Sequence, residues 1–195
     1  MKYNILFNIP NCIGYIRLIL LYCAISSPDF LAFYFVSSLL DAVDGHMARK
    51  FNQCSILGSC LDMVTDRIAT IIITIKIAEF KSWVNTLLLY MLVLDILSHF
   101  LHFNASILIN TSHKENTNPI LKFYYKRKIL FFVCALNELF MCSLYAFYSG
   151  IKLPIQLIYL LGVIYMIKNL LHFIQFIYAL HILTEYEIKS LKKCK

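Results

Sequence analysis

Four aspartates, Asp41, Asp44, Asp62 and Asp66, stand in stretches otherwise suited to hydrocarbon. The first stretch begins FLAFYFVSS at Phe30 and closes SLLDAVDGHMARK at Lys50; the second contains GSCLDMVTD from Gly58. A charged side chain at bilayer depth costs roughly 2.5–3.5 kcal/mol on insertion scales, so four of them require a polar cavity and a cationic partner. On helices, Asp41, Asp44, Gly45 and Ala48 share one face, and Gly58, Asp62 and Asp66 form a stripe along another. The linker from Lys50 to Ser55 is short, which makes the two helices antiparallel neighbours with their acidic faces meeting near the cytosolic side. Converging carboxylates repel one another unless cations bind. An oxygen-only donor set suits hard divalent ions, magnesium or manganese. Two such ions balance four carboxylates, and paired ions clamp the attacking and leaving oxygens of a displacement at phosphorus. Gly45 and Ala48 leave room beside the helix, and Arg49 offers a forked donor to phosphate. One aspartate alone would read equally well as a packing hydrogen-bonder or an ion-pair partner of Arg17 or Arg67. Four at this spacing point to a bimetal site for phosphate chemistry at a membrane surface.

The elements that must carry such a site are membrane helices. Of the 195 residues, 60% are hydrophobic and only 15% charged, with a mean hydropathy of +0.70; a soluble domain carries roughly 25% charged residues. Apolar runs of about 20 residues give six expected spans, at 11–27, 30–48, 56–79, 83–103, 129–149 and 153–183, within one domain covering 1–195. The last run is too long for a single crossing, so its C-terminal end is expected to emerge. No barrel-type alternation appears, which leaves an all-α bundle. With the N-terminus cytosolic, one face receives twelve lysines and arginines, from Lys2 to Lys195, and the other only Lys76, Lys81 and Lys152. This positive-inside pattern places both termini in the cytosol. It also assigns the net charge of +7 to topology and anionic headgroups, not to nucleic acid.

The remaining features bound the setting. Arg17 interrupts the first apolar run, which argues against a cleaved signal peptide. The seven cysteines contain no CxxC pair and are read as reduced packing residues without a zinc site. The glycosylation sequons at Asn104 and Asn110 fall on the expected cytosolic side and should be silent. The tail KKCK puts Lys192 and Lys193 where a dilysine signal for the endoplasmic reticulum would sit; a solvated basic tail is the plain alternative.

The segment DAVDGHMARKFNQCSILGSCLDMVTD, from Asp41 to Asp66, resembles the signature of the CDP-alcohol phosphatidyltransferases, DxxDGxxAR, eight residues, G, three, D, three, D. Each fixed position is matched: Asp41, Asp44, Gly45, Ala48, Arg49, Gly58, Asp62 and Asp66. Further stretches, NIPNCIGYIR from Asn8, LDILSHFLH ending at His102, SHK from Ser112, Asn118 with Pro119, and ALNELF from Ala135, are similar to members whose acceptor is myo-inositol. The resemblance implies six transmembrane helices, usually in a homodimer, and transfer of the phosphatidyl group of CDP-diacylglycerol to the acceptor with release of CMP. It implies that Asp41, Asp44, Asp62 and Asp66 hold two divalent ions, with Asp66 also the general base. It further implies that Gly45, Arg49 and Ser55 contact CDP-diacylglycerol; Ser55 is equally readable as the N-cap of the third span.

Polar residues elsewhere in the spans carry two readings each. Asp95, His99 and His102 share one face of the fourth span and suit either an inositol pocket or hydrogen bonds locking helices together. Asn137, Glu138 and Lys168 pose the same choice, with a Glu–Lys pair one solution. Arg17 reads as a substrate-side donor or as a partner to an aspartate. Competing functions are another acceptor (glycerol 3-phosphate, serine, choline or ethanolamine), a cation transporter, or an inactive scaffold. Carboxylates clustered near one face argue against the transporter, the intact motif against the scaffold, and the scarcity of intramembrane cations against a phosphorylated acceptor.

Overall fold

The computed structural model describes residues 5–80, 83–108 and 118–193. Among them are a single 3-10 turn (Ile5–Phe7) and seven α-helices: α1 Ile9–Ser26, α2 Phe30–Lys50, α3 Ile56–Ala78, α4 Val84–Leu108, α5 Pro119–Tyr124, α6 Arg127–Tyr148 and α7 Ile155–Lys193. Six of these correspond to the six expected spans. The seventh, α5, is a six-residue helix lying between the fourth and fifth expected spans. Four helices, α1, α4, α6 and α7, are long and apolar enough to cross a membrane. The helices bearing the four aspartates, α2 and α3, are long enough but stand outside that apolar set. The SHK stretch and the sequon at Asn110 lie outside the described residues.

The chain divides into two compact units, one up to Lys76 and one from Ile77. In the first, α1 begins at the N-cap Asn8, whose side chain accepts a hydrogen bond from Asn11 N at 3.0 Å, with Pro10 in the opening turn. Both residues suit a helix start: the cap fills an orphan donor position and proline lacks the N–H that would be orphaned. Helix α1 packs along α2. It also comes close to α3, since a Cβ on Gly14 would lie 2.8 Å from Leu61 Cδ2 and one on Gly58 3.0 Å from Asn11 Oδ1.

The linker between α2 and α3 follows from its residues. Asn52 adopts φ 52°, the left-handed conformation that asparagine tolerates better than most side chains. This lets Asn52 N donate to Arg49 O at 3.3 Å and Gln53 N to Ala48 O at 2.8 Å, the paired bonds of a Schellman C-cap. Arg49 and Lys50 occupy the same final turn, where cations complement the helix dipole. Three residues later Ser55 Oγ accepts from Gly58 N at 3.0 Å and starts α3. Gln53 ties this linker to the start of α1: its side-chain oxygen accepts from Ile9 N at 3.0 Å and its carbonyl from Asn8 Nδ2 at 3.3 Å.

In the second unit α7 packs against both α4 and α6. Gly162 lets the Phe140 ring approach, 3.4 Å from where a Cβ would be, and Phe140 packs on Tyr165 at a ring separation of 4.8 Å. Gly150, at φ +91°, turns the chain out of α6, with Pro154 preceding α7. The 39 residues of α7 span about 58 Å at 1.5 Å per residue, nearly twice a hydrocarbon core of about 30 Å. Its last turns are accordingly polar and exposed, with His181 and Lys189 each one turn from Glu185, at 3.3 and 3.8 Å.

Candidate active site

All four aspartates of the motif converge in the first unit, and the group on which they converge is Arg17. Its Nη1 lies 2.7 Å from Asp41 Oδ1, 3.0 Å from Asp44 Oδ2 and 3.3 Å from Asp62 Oδ1, while Nη2 lies 2.7 Å from Asp66 Oδ1. Helix periodicity explains the meeting. Asp41 and Asp44 are three residues apart on α2, Asp62 and Asp66 four apart on α3, and Arg17 stands midway along α1, which contacts both. Arg17 is 2% exposed, a charge removed from water that requires close counter-ions. The sequence left Arg17 between two readings; in the fold it pairs with the aspartates.

The cluster is sheltered on one side and open on the other. Asp44 is buried, whereas the side chains of Asp41, Asp62 and Asp66 keep 42%, 52% and 36% of their exposure. One oxygen from each of Asp41, Asp62 and Asp66 lies within 4.8 Å of the others, close enough to share a cation. The donor set is all oxygen, which fits magnesium or manganese and is poor for softer metals. Asp41, Asp62 and Asp66 are therefore placed where they could hold a divalent metal together, while Asp44, the fourth expected ligand, is buried against Arg17 and stands outside this group.

The positions expected to contact CDP-diacylglycerol lie on α2 and on the linker that follows it. Gly45 is partly exposed on α2 and a Cβ there would meet only the Arg49 guanidinium, at 3.4 and 3.8 Å, so the backbone stays approachable. Arg49 is exposed in the last turn of α2. Ser55 is the N-cap of α3, the structural reading the sequence allowed for it, and its half-buried hydroxyl is spent on Gly58 N.

The second unit holds a second polar cluster, differing from the expected trio in one member. Asp95 Oδ1 lies 3.3 Å from His99 Nδ1 and 3.1 Å from His172 Nδ1, and the two imidazoles meet edge to face at 4.9 Å. His99 Nδ1 also lies 2.9 Å from the Asp95 carbonyl and 3.4 Å from Ser98 Oγ. His102 sits one turn further on, buried, its ring stacked with Tyr125 at 5.8 Å and 6.4 Å from Tyr178. Its place beside Asp95 is taken by His172 of α7, which sequence reasoning missed. The available signal was periodic: Lys168, His172 and Gln175 fall at i, i+4 and i+7 in an apolar run, and all three are buried, as expected when polar groups in a span turn inward. Gln175 Nε2 donates to Ser98 O at 3.4 Å, bridging α7 to α4.

Comparison with known proteins agrees with the motif. The CDP-alcohol phosphatidyltransferase family model matches residues 7–184, so the match runs through both units, and the chain belongs to this family. Among curated relatives, the CDP-diacylglycerol–inositol 3-phosphatidyltransferase of Rattus norvegicus is 41% identical over 157 residues, covering 74% of this chain and 72% of the relative. The human protein of that name is 40% identical over 158 residues (74% and 73%), and that of Saccharomyces cerevisiae 44% over 153 residues (73% and 69%). No solved structure matches.

Proposed function

We propose that this protein transfers the phosphatidyl group of CDP-diacylglycerol to myo-inositol, producing phosphatidylinositol and CMP. The observation that carries the reading is the convergence of the motif's four carboxylates within the first unit. The acceptor is taken from the rat, human and yeast relatives, each named a CDP-diacylglycerol–inositol 3-phosphatidyltransferase and aligned over 153 to 158 residues.

Asp41, Asp44 and Asp62 would hold the metal ions, magnesium or manganese, with Asp66 contributing at the second. Bound there, the ions supply charge stabilisation for the diphosphate oxygens, the dominant requirement of phosphoryl transfer. The chain's own residues do the rest. Gly45 admits the nucleotide diphosphate to the α2 backbone, Arg49 grips it with a planar fork, and Ser55 stands at the linker beside it. Asp66 accepts the proton of the inositol hydroxyl as that oxygen forms its bond to the β-phosphorus and the bond to CMP breaks.

For the acceptor we infer that the polar cluster of Asp95 and His99, with His172 added and His102 beyond it, supplies hydroxyl partners for a polyol. The family match over residues 7–184 supports reading the chain as one catalytic domain of six spanning helices. A homodimer in the endoplasmic reticulum membrane, with active site and both termini cytosolic, completes the proposal.

The test is CMP release by purified protein with CDP-diacylglycerol and magnesium or manganese, with and without myo-inositol, against serine, glycerol 3-phosphate, choline and ethanolamine. Inositol-dependent release that disappears in Asp66→Asn is the expected result. Release with a different acceptor would overturn the inositol assignment and keep the site, and no release with any acceptor would overturn the enzyme reading.

A further inference from the structure

Arg17 belongs to none of the eight fixed motif positions, yet its guanidinium touches every acidic one. Its bonding is also imperfect. Nη1 has two hydrogens, directed at Asp44 and Asp62, while Asp41 lies closer, at 2.7 Å, and is held by charge alone. Nε is buried and donates to no described residue, although most buried donors are bonded. One nitrogen thus faces three carboxylates from two helices, and two of them, Asp41 and Asp62, belong with Asp66 to the group whose oxygens lie close enough to share a cation. A divalent ion held by these carboxylates would carry twice the guanidinium's charge and would not be limited to one hydrogen per oxygen.

From this geometry we propose that Arg17 is a resident counter-cation of the acidic cluster: it assembles the four carboxylates in the folded chain and surrenders them to divalent metal. The proposal rests on the metal site argued above. Arg17 and the metal compete for the same oxygens, so metal uptake requires the guanidinium to leave Nη1's present contacts. The role belongs to a positioning residue, acting on the reaction through the aspartates.

The experiment is manganese binding, followed by the electron paramagnetic resonance of free Mn2+, to detergent-purified wild type, Arg17→Gln and Arg17→Lys. Removing a competing cation strengthens metal binding: Arg17→Gln should bind at least about fivefold more tightly, with Arg17→Lys between it and wild type. The metal-free Arg17→Gln protein should melt earlier than wild type, and added Mn2+ should raise its melting temperature by a larger increment. Weaker or unchanged affinity in Arg17→Gln would overturn the proposal, since Arg17 would then support the metal site or occupy different oxygens. No Mn2+ binding by wild type would overturn the metal site and this proposal together. Should Arg17→Gln fail to fold, Arg17→Lys and arginine-selective 15N resonance of the wild type decide: the buried Arg17 Nε signal must shift on saturation with Mg2+, and a stationary signal refutes the exchange.

Discussion

At the residue scale, two positions separate structural from functional roles. Gly45 is not required by packing, because the nearest neighbour of an added Cβ is the flexible end of Arg49. Alanine in a helix is favoured over glycine by up to about 1 kcal/mol, so Gly45→Ala should melt no earlier than wild type. If the bare backbone serves the nucleotide, the KM for CDP-diacylglycerol should still rise by about tenfold, and unchanged kinetics would remove Gly45 from the substrate site. Ser55 is the reverse case, a residue with a demonstrated cap. Ser55→Ala should cost about 1 kcal/mol of stability, whereas glycine, a tolerable cap, costs only a few tenths. Melting curves of the two variants test the cap. A KM for the lipid nucleotide raised equally in both would assign the hydroxyl a second, substrate-directed role. Ser55 was legible from the sequence in both readings because a serine preceding an apolar run is a helix-start signal; the bond to Gly58 N shows that the cap is made.

At the element scale, the turn between α2 and α3 decides whether the two pairs of aspartates face each other. Its geometry depends on Asn52 holding a left-handed conformation, which costs a β-branched residue about 1–2 kcal/mol. Asn52→Val is expected to lower stability by that amount, while Asn52→Gly should be neutral or slightly stabilising; thermal unfolding in detergent distinguishes them. Loss of Mn2+ binding in Asn52→Val beyond what its reduced folded fraction explains would show that the turn sets the spacing of the carboxylates as well. The shortness of this linker was plain in the sequence, whereas the helix that packs along α2 is α1. The specific Schellman bonds were not plain there, since they require knowing which residue ends α2. Helix α5 was missed for a related reason: six residues are too few to show periodicity, and only Asn118 followed by Pro119 hinted at a capped start.

For the whole molecule, the distribution of lysine and arginine is the sequence's strongest statement about orientation, and it makes a topological prediction. The sequon at Asn104, on the expected cytosolic side, should carry no glycan in a eukaryotic membrane. A sequon engineered into a lengthened Ser149–Leu153 turn, on the expected opposite face, should acquire one, seen as an endoglycosidase-sensitive mobility shift. A glycan at Asn104 instead would invert the orientation proposed here and place the carboxylate cluster away from the cytosol. The same scale explains why α2 and α3 fall outside the four plainly apolar helices: α2 carries Asp41 and Asp44, and α3 carries Arg67 and Lys76 besides Asp62 and Asp66. Residues serving a polar cavity are the ones a hydropathy criterion penalises.

The sequence by itself determined the helical class, the spacing of the acidic residues and the family, because each is written in local pattern: apolar runs, a helical repeat and a 26-residue motif. Tertiary structure decided which side chains meet across helices. It set Arg17 among all four aspartates, although that arginine precedes them by 24 residues or more. It put His172 beside Asp95 in place of His102, because two residues seven apart on α4 share a face without touching, while a residue from α7 can reach across the helix interface. Those pairings depend on how helices rotate and pack against one another, and that information is spread over many apolar contacts that no single stretch of sequence displays.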